Sequence, residues 1–538
     1  MHRLGRARRR WADVRLLLTS GRIHDGSGAA AFSGGVLIDS GQIQHVFRER
    51  VPHLLDVQEH VDVGDHVICP GFVDLHTHSD VSVLSDPGCV SAVGQGITTQ
   101  VVGHCGFSAA PVDARTRASM VNEEPVFGFP GVDWDWATTA EYLRVVRDAR
   151  PATNIATLVG HGTVRRLVMG SVGRPADDPE LSTMSHQVDA ALCDGALGLS
   201  TGLSYAPGMY ADARELNALA RLTSRYGRRY HTHMRYGDLP IWHALAEAIS
   251  VARTTGVAVN VSHLYPSVSD PADTAEHLLA AVDQAREEGL DVTFDLTVFR
   301  RGGGAWMQAL PGWARDGGLP ALRARLAAPA DRRRLLTHLR QRATDWDDQL
   351  VVKVGHQDNK HLIGRSIGEL ARERGRDPAD TALDLVSEDG QFWVAPHIKR
   401  QADLDALIAH PLCVPVTDGM AAHPVKHRPL GLMPKTFGTV PLVLGDYVRE
   451  RRVLSLAQAI VKLTRLAAIR AGLLDRGLLA PGLAADVVVF DPERIANEAT
   501  DDDPAVAPSG VDHVLVNGSW AVRDGRLTGT RTGQVLAA

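Results

Sequence analysis

The sequence predicts an α/β fold: a (β/α)8 TIM-like barrel with a small β-sandwich built from both chain ends and an inserted subdomain after strand seven. Short β-branched runs alternate with amphipathic helical stretches across residues 69–476, the rhythm of a parallel sheet crossed by helices. Eight such runs are present, the number that closes a barrel. At both ends of the chain, short apolar runs bounded by Gly, Asp or Ser replace that rhythm, as in an all-β unit.

The elements follow in chain order. Residues 1–12 form a basic tail, MHRLGRARRRWA; the apolar stretch after it, VRLLL, is too short for a secretion signal and no small-residue cleavage site follows. Residues 13–68 read as strands, in VRLLLTSGRIHDGSG and GGVLIDSGQIQHVF. The barrel strands are ICPGFVDLH, TTQVVGHCG, TNIATLVGHG, ALGLSTG, RRYHTHM, VAVNVSHL, LDVTFDLTVF and CVPVTDG, with ADARELNALARLTSRYG and PIWHALAEAISVARTTG among the helices between them. Residues 300–350 break the rhythm after the seventh strand and are expected to form the inserted subdomain. Residues 477–538 return to strands, with Asn517-Gly518 and Asp524-Gly525 as hairpin signals. Neither terminal segment has enough strands to stand alone, so the two are expected to share one sandwich.

Composition excludes several classes. A net charge of -6 over 538 residues gives no basic surface for nucleic acid or anionic lipid, and no window has the eighteen or so apolar residues of a membrane helix. Five scattered cysteines do not make a disulfide framework, so a reducing, cytoplasmic setting and a small-molecule partner are expected.

The chemistry lies at the strand ends. In PGFVDLHTHSD, His76 and His78 stand two apart on a strand, so both rings point to one face about 7 Å apart along the backbone. A barrel's reactive groups collect at the carboxyl ends of its strands. There the sequence places His104 and Cys105 after strand two, His161 after strand three, His231 and His233 on strand five, His263 after strand six and Asp418 after strand eight. Histidine and aspartate are costly to bury without partners, and a shared metal ion removes that cost. Imidazole, thiolate and carboxylate together favour zinc over Mg²⁺ or Ca²⁺. Zinc acidifies water and polarises a carbonyl, and Asp418 is the candidate general base and acid.

PGFVDLHTHSD, GITTQVVGHCGFSAAP, GHGTVR, ALGLSTGLSYAPGMYA, THMR, VSHL, VTDG and GLLAPGLAADVVVFDP, in this order, resemble the D-aminoacylase (N-acyl-D-amino-acid deacylase) family of the amidohydrolase superfamily. The resemblance implies one tightly held Zn²⁺ on Cys105, His233 and His263, a second and weaker position at His76 and His78, and Asp418 as base. Strand four has no lysine to carry the carboxylated bridge of many superfamily members, which agrees with Cys105 in that role. His104, His161 and His231 are left as lining or supporting residues.

The substrate clamp departs from the family pattern. Thr297 stands where the family has a tyrosine, Gly303 where it has a serine, and Lys435 where it has an arginine. Arg300, Arg301 and Arg428 are alternative anion-binding candidates. The expected activity is therefore zinc-dependent hydrolysis of the amide of an N-acyl, D-configured amino acid or related small amide. Retuning to a peptide, a cyclic amide or a specialised metabolite, or a non-catalytic binding role, stand as alternatives.

Overall fold

The computed structural model describes residues 15–52, 55–124, 126–129, 131–236, 240–268, 273–390 and 392–537; the basic tail read over residues 1–12 lies outside them. Eight parallel strands form the central ring. They are strand one (Phe72–Asp74), two (Ile97–Val102), three (Asn154–Thr157, continuing at Val159–Gly160), four (Gly198–Gly202), five (Arg229–His233), six (Ala258–Val261), seven (Val292–Leu296) and eight (Cys413–Pro415). Strands one to three pair in order, as do three to eight.

The ring closes between strands eight and one. Thr77 bridges Gly419 in parallel, and Asp418 N–H donates to the His76 carbonyl at 2.9 Å. Buried Asp74 accepts from both the backbone N–H and the hydroxyl of Thr417, at 3.2 and 2.5 Å. The strands are buried on both faces, including their polar residues Thr98, Gln100, Ser200 and Asp295.

Nine strands from both chain ends make one hydrogen-bonded sheet, joined where Val67–Pro70 pairs antiparallel with Val487–Phe490. The sheet curls over its own core of Leu18, Ile38, Ile68, Val489, Leu515 and Trp520. Its far strands meet across that core, since Trp520 Nε1 and Arg523 both reach Glu59. Asn517-Gly518 and Asp524-Gly525 form the hairpin turns, with all four residues at positive φ as a type I′ turn demands. Buried Asp486 fastens this unit to the barrel, accepting from Arg476 at 2.6 Å, Asn154 at 3.0 Å and the Asn517 N–H at 2.8 Å.

After strand seven the chain leaves the barrel. Gly304–Ala305 and Val351–Lys353 both pair antiparallel with Trp393–Val394, so the excursion runs on from the expected 300–350 to Val394. Five helices pack beneath these strands around Trp306, Leu322, Leu335, Leu383 and Phe392, a core separate from the barrel's. This unit stands over the carboxyl ends of the strands and brings Lys353 and Trp393 into one cavity with His78 and Asp418.

Candidate metal centre and active site

Two groups of donor atoms meet at the carboxyl end of the ring, and Cys105 belongs to both. Cys105, His233 and His263 form one; His76, His78, Cys105 and Asp418 form the other, with all atoms in each within 4.8 Å of one another. Cys105 Sγ lies 3.7 Å from His263 Nε2 and 3.3 Å from His76 Nε2, and His233 Nδ1 lies 2.9 Å from His263 Nε2. Tetrahedral zinc with bonds of 2.0–2.3 Å separates its ligands by about 3.5 Å, so these spacings fit one ion per group with the thiolate between them.

Backbone strain puts the donors there. Cys105, His263 and Asp418 all have positive φ, at 54°, 36° and 44°, a region costly for residues with a Cβ and concentrated at functional sites. Each lies two or three residues past the end of its strand, at Val102, Val261 and Pro415, in the turn at the barrel mouth. Strand four makes room: a Cβ at Gly202 would fall 2.0 Å from the Cys105 carbonyl oxygen. The glycine of GLSTG is thus required by a residue nearly a hundred positions earlier.

Supporting contacts orient the rings. Asp295 Oδ2 lies 3.3 Å from His76 Nδ1 and accepts from Asn260 Nδ2 at 2.7 Å, while its other oxygen accepts the His263 N–H at 2.6 Å. Ser204 Oγ holds His233 Nε2 at 2.5 Å, leaving Nδ1 toward Cys105. Tyr236 OH lies 3.2 Å from His263 Nδ1 and leaves Nε2 to face the thiol. Such contacts select the ring nitrogen that binds a metal.

Electrostatics point the same way. Burial pushes the Cys105 thiol up, but the imidazoles of His76, His233 and His263 together outweigh it and hold the thiol well below its usual range. Burial likewise opposes ionisation of Asp418, yet Lys435, His78 and His76 hold its carboxyl well below the usual carboxylate range. His76 is raised well above the usual imidazole value and His78 to about 9: burial acts against both, and anionic neighbours prevail. The protonated rings thus balance the charge of Cys105, Asp418 and Asp295. A divalent cation would balance it instead and release those protons, which is how a metal site with deprotonated ligands behaves.

The remaining candidates divide. Lys435 is at the centre, its Nζ 2.6 Å from Asp418 Oδ2. His104 stacks on His76 with ring centroids 4.0 Å apart and meets the edge of His231 at 5.0 Å, so these two pack behind the donors. His161 is bound to Glu215 at 2.6 Å, beside Arg165, and supports the start of its own helix. Thr297 is buried and does not line the cavity that holds Asp418.

The arginines suggested as a replacement clamp are engaged elsewhere. Arg301 is held by Asp348, Asp501 and the Ala395 carbonyl, Arg428 pairs with Asp503, and Arg300 is exposed to solvent. Charge alone does not distinguish a surface pair from a ligand anchor, because the acidic partners lie 47 to 200 residues away. Sequence reasoning missed Asp295, Ser204, Tyr236 and Lys353. Only Lys353 left a local signal: in a strand of period two it shares the inward face with Val351.

A parallel eight-stranded barrel with thiolate, imidazole and carboxylate donors meeting at its carboxyl rim defines a metal-dependent hydrolase scaffold. The chain belongs to the amidohydrolase family, whose model matches residues 59–522. It is 33% identical to an N-acyl-D-aspartate deacylase of Alcaligenes xylosoxydans xylosoxydans over 98% of this chain and 95% of that one. An N-acyl-D-glutamate deacylase of the same organism is 32% identical over 85% and 84% respectively. Among solved structures, the N-acyl-D-glutamate deacylase from Bordetella bronchiseptica, complexed with zinc and a phosphonate mimic of the tetrahedral intermediate, superposes with a TM-score of 0.82. That match covers 98% of this chain and 100% of that one at 29% identity.

Proposed function

We propose that this protein is a zinc-dependent hydrolase that cleaves the amide bond of N-acyl D-amino acids. The observation that carries the reading is the meeting of Cys105, His233 and His263 in one donor group that shares its thiolate with a second group of His76, His78 and Asp418. The D configuration is supported by what the similar deacylases act on.

Cys105, His233 and His263 would hold zinc, with His76 and His78 as a second position that shares the thiolate. When bound, zinc supplies a Lewis acid that polarises a carbonyl and makes water acidic enough to react near neutral pH. Asp418 takes the proton of the attacking water and passes it to the departing nitrogen, the double duty of a general base and acid. Lys435 keeps Asp418 ionised at rest and faces the substrate's α-carboxylate, a point charge in place of a forked guanidinium. A carboxylate arriving at Lys435 loosens its hold on Asp418 and raises the proton affinity of the base at the moment it is needed. The cavity beside Asp418 and Lys435 is walled by Leu432, Met433 and Trp393.

Among the described residues no helix is long and apolar enough to cross a membrane. Cytoplasmic residence belongs to the same proposal and is supported by five unpaired cysteines, four of them buried.

The test is steady-state hydrolysis of N-acetyl D- and L-amino acids by the zinc-loaded protein and by Asp418→Asn. Release of the free D-amino acid by the parent, with about a 10³-fold loss in the variant at unchanged zinc content, is expected. Equal turnover by the two proteins would refute the assignment.

A further inference from the structure

Ser204 sets which nitrogen His233 offers, and a side chain of the inserted unit holds Ser204. The serine lies in the loop after strand four, where Leu203 N–H donates to the His233 carbonyl at 2.9 Å and Ser204 Oγ meets His233 Nε2 at 2.5 Å. Its carbonyl accepts from Arg315 NH1 at 2.7 Å, and no backbone N–H among the described residues donates to that oxygen. Both residues are buried, Ser204 at 4% and Arg315 at 8% exposure. Arg315 stands 111 positions further along the chain, at the end of the short helix Gly312–Arg315.

This helix is pinned to barrel loops on either side of the arginine. Tyr210 OH donates to the Gly312 carbonyl at 2.8 Å. Past Arg315, Asp316 Oδ1 accepts the Gly173 N–H at 2.7 Å, and Gly317 N–H donates to the Ser171 carbonyl at 2.9 Å. Tyr210 does its part with a neutral hydroxyl, whereas a guanidinium costs far more to take out of water. What the guanidinium adds is a charge-assisted hydrogen bond, roughly twice as strong as a neutral one, from a planar group with a fixed direction. Held by its carbonyl, Ser204 cannot turn about its Cα–C bond, so its Cβ and hydroxyl stay where they meet His233. With Oγ on Nε2, Nδ1 is left 2.9 Å from His263 Nε2, inside the donor group that Cys105 completes.

We propose that Arg315 is a positioning residue: by holding the Ser204 carbonyl it fixes the serine hydroxyl on His233, so that the Cys105, His233 and His263 group reaches its full metal affinity only with the inserted subdomain seated. The unit that stands over the barrel mouth thereby also readies the ligands beneath it. The inference rests on the zinc reading above.

The experiment measures zinc affinity by competition with a chromophoric chelator, with urea midpoints alongside. It uses the full-length parent, Arg315→Met, Arg315→Lys, Tyr210→Phe, Ser204→Ala and the double variant that combines Ser204→Ala with Arg315→Met. Arg315→Met should bind zinc about 10-fold more weakly, the scale of a supporting contact to a metal ligand. In the Ser204→Ala background the same change should cost less than about 2-fold, because the hydroxyl through which the arginine acts is gone. Arg315→Lys keeps a charged donor and should recover most of the affinity. Tyr210→Phe loosens the same helix without touching Ser204; it should lower the urea midpoint and leave zinc affinity within about 2-fold of the parent. If Arg315→Met does not fold, Arg315→Gln, polar but too short to reach the carbonyl, takes its place in the cycle. Equal losses in the two backgrounds, or as large a loss from Tyr210→Phe, would make the effect a general loosening and overturn the proposal. So would parental affinity in Arg315→Met. A parent that takes up no zinc would refute the zinc reading itself, and this inference with it.

Discussion

Replacing Lys353 with methionine should make the protein more stable, by an amount that depends on pH in a defined way. The side chain is buried without a hydrogen-bond acceptor among the described residues, and its ammonium is lowered from 10.5 to about 7. Each tenfold change in proton affinity is about 1.4 kcal/mol, so the charged form costs the folded state at most about 5 kcal/mol. Relaxation of the side chain reduces this, and a gain of about 2–4 kcal/mol for Lys353→Met is expected at and below pH 7. The folded protein holds this proton more weakly than the unfolded chain does. Between pH 7 and 10.5 unfolding therefore takes up a proton, and the parent grows more stable, through this group, as pH rises. The advantage of Lys353→Met must accordingly shrink above pH 7 and all but vanish near pH 10.5. Urea midpoints of substrate-free parent and variant at pH 6, 7.5, 9 and 10 measure the difference directly. A gain that does not change with pH, or a variant less stable throughout, would show that Lys353 is solvated or paired in solution and refute the reasoning.

Cys105→Ala removes the donor common to both groups; it should fail to retain zinc through gel filtration and lose activity by at least about 10³-fold, checked by metal analysis alongside turnover. Ser204→Ala frees the His233 ring and should weaken zinc binding by about 10- to 100-fold, read by competition with a chromophoric chelator. Gly202→Ala drives a methyl into the Cys105 carbonyl and should cost about 3 kcal/mol in urea unfolding while also lowering zinc content. Exhaustive chelation should abolish activity and lower the thermal midpoint, with zinc restoring both, because an ion that binds the folded chain and not the unfolded one stabilises it.

Much of this protein was legible because its determinants are local. The β-branched runs between helical stretches and the Asn517-Gly518 turn are properties of a few adjacent residues, and the folded chain uses both as their spacing implies, whereas His76 and His78, expected on a strand, lie just past the end of strand one at Asp74. The strand-end rule offered His104, His161 and His231 alongside Cys105, His233, His263 and Asp418, and the family resemblance chose among them. Contacts across hundreds of residues were not legible. Asp295 serves His76 from 219 positions away. Arg301 and Arg428 are neutralised by acids that nothing beside them announces, while Lys353, in a three-residue strand of a separate subdomain, meets no acid among the described residues. The sequence by itself determined the barrel, the terminal sheet and the kinds of donor available, since backbone periodicity and side-chain chemistry are intrinsic to short segments. Only the tertiary structure decided which donors share an ion and which cation remains unpaired, because pairing and dehydration depend on what distant segments place within a few ångströms.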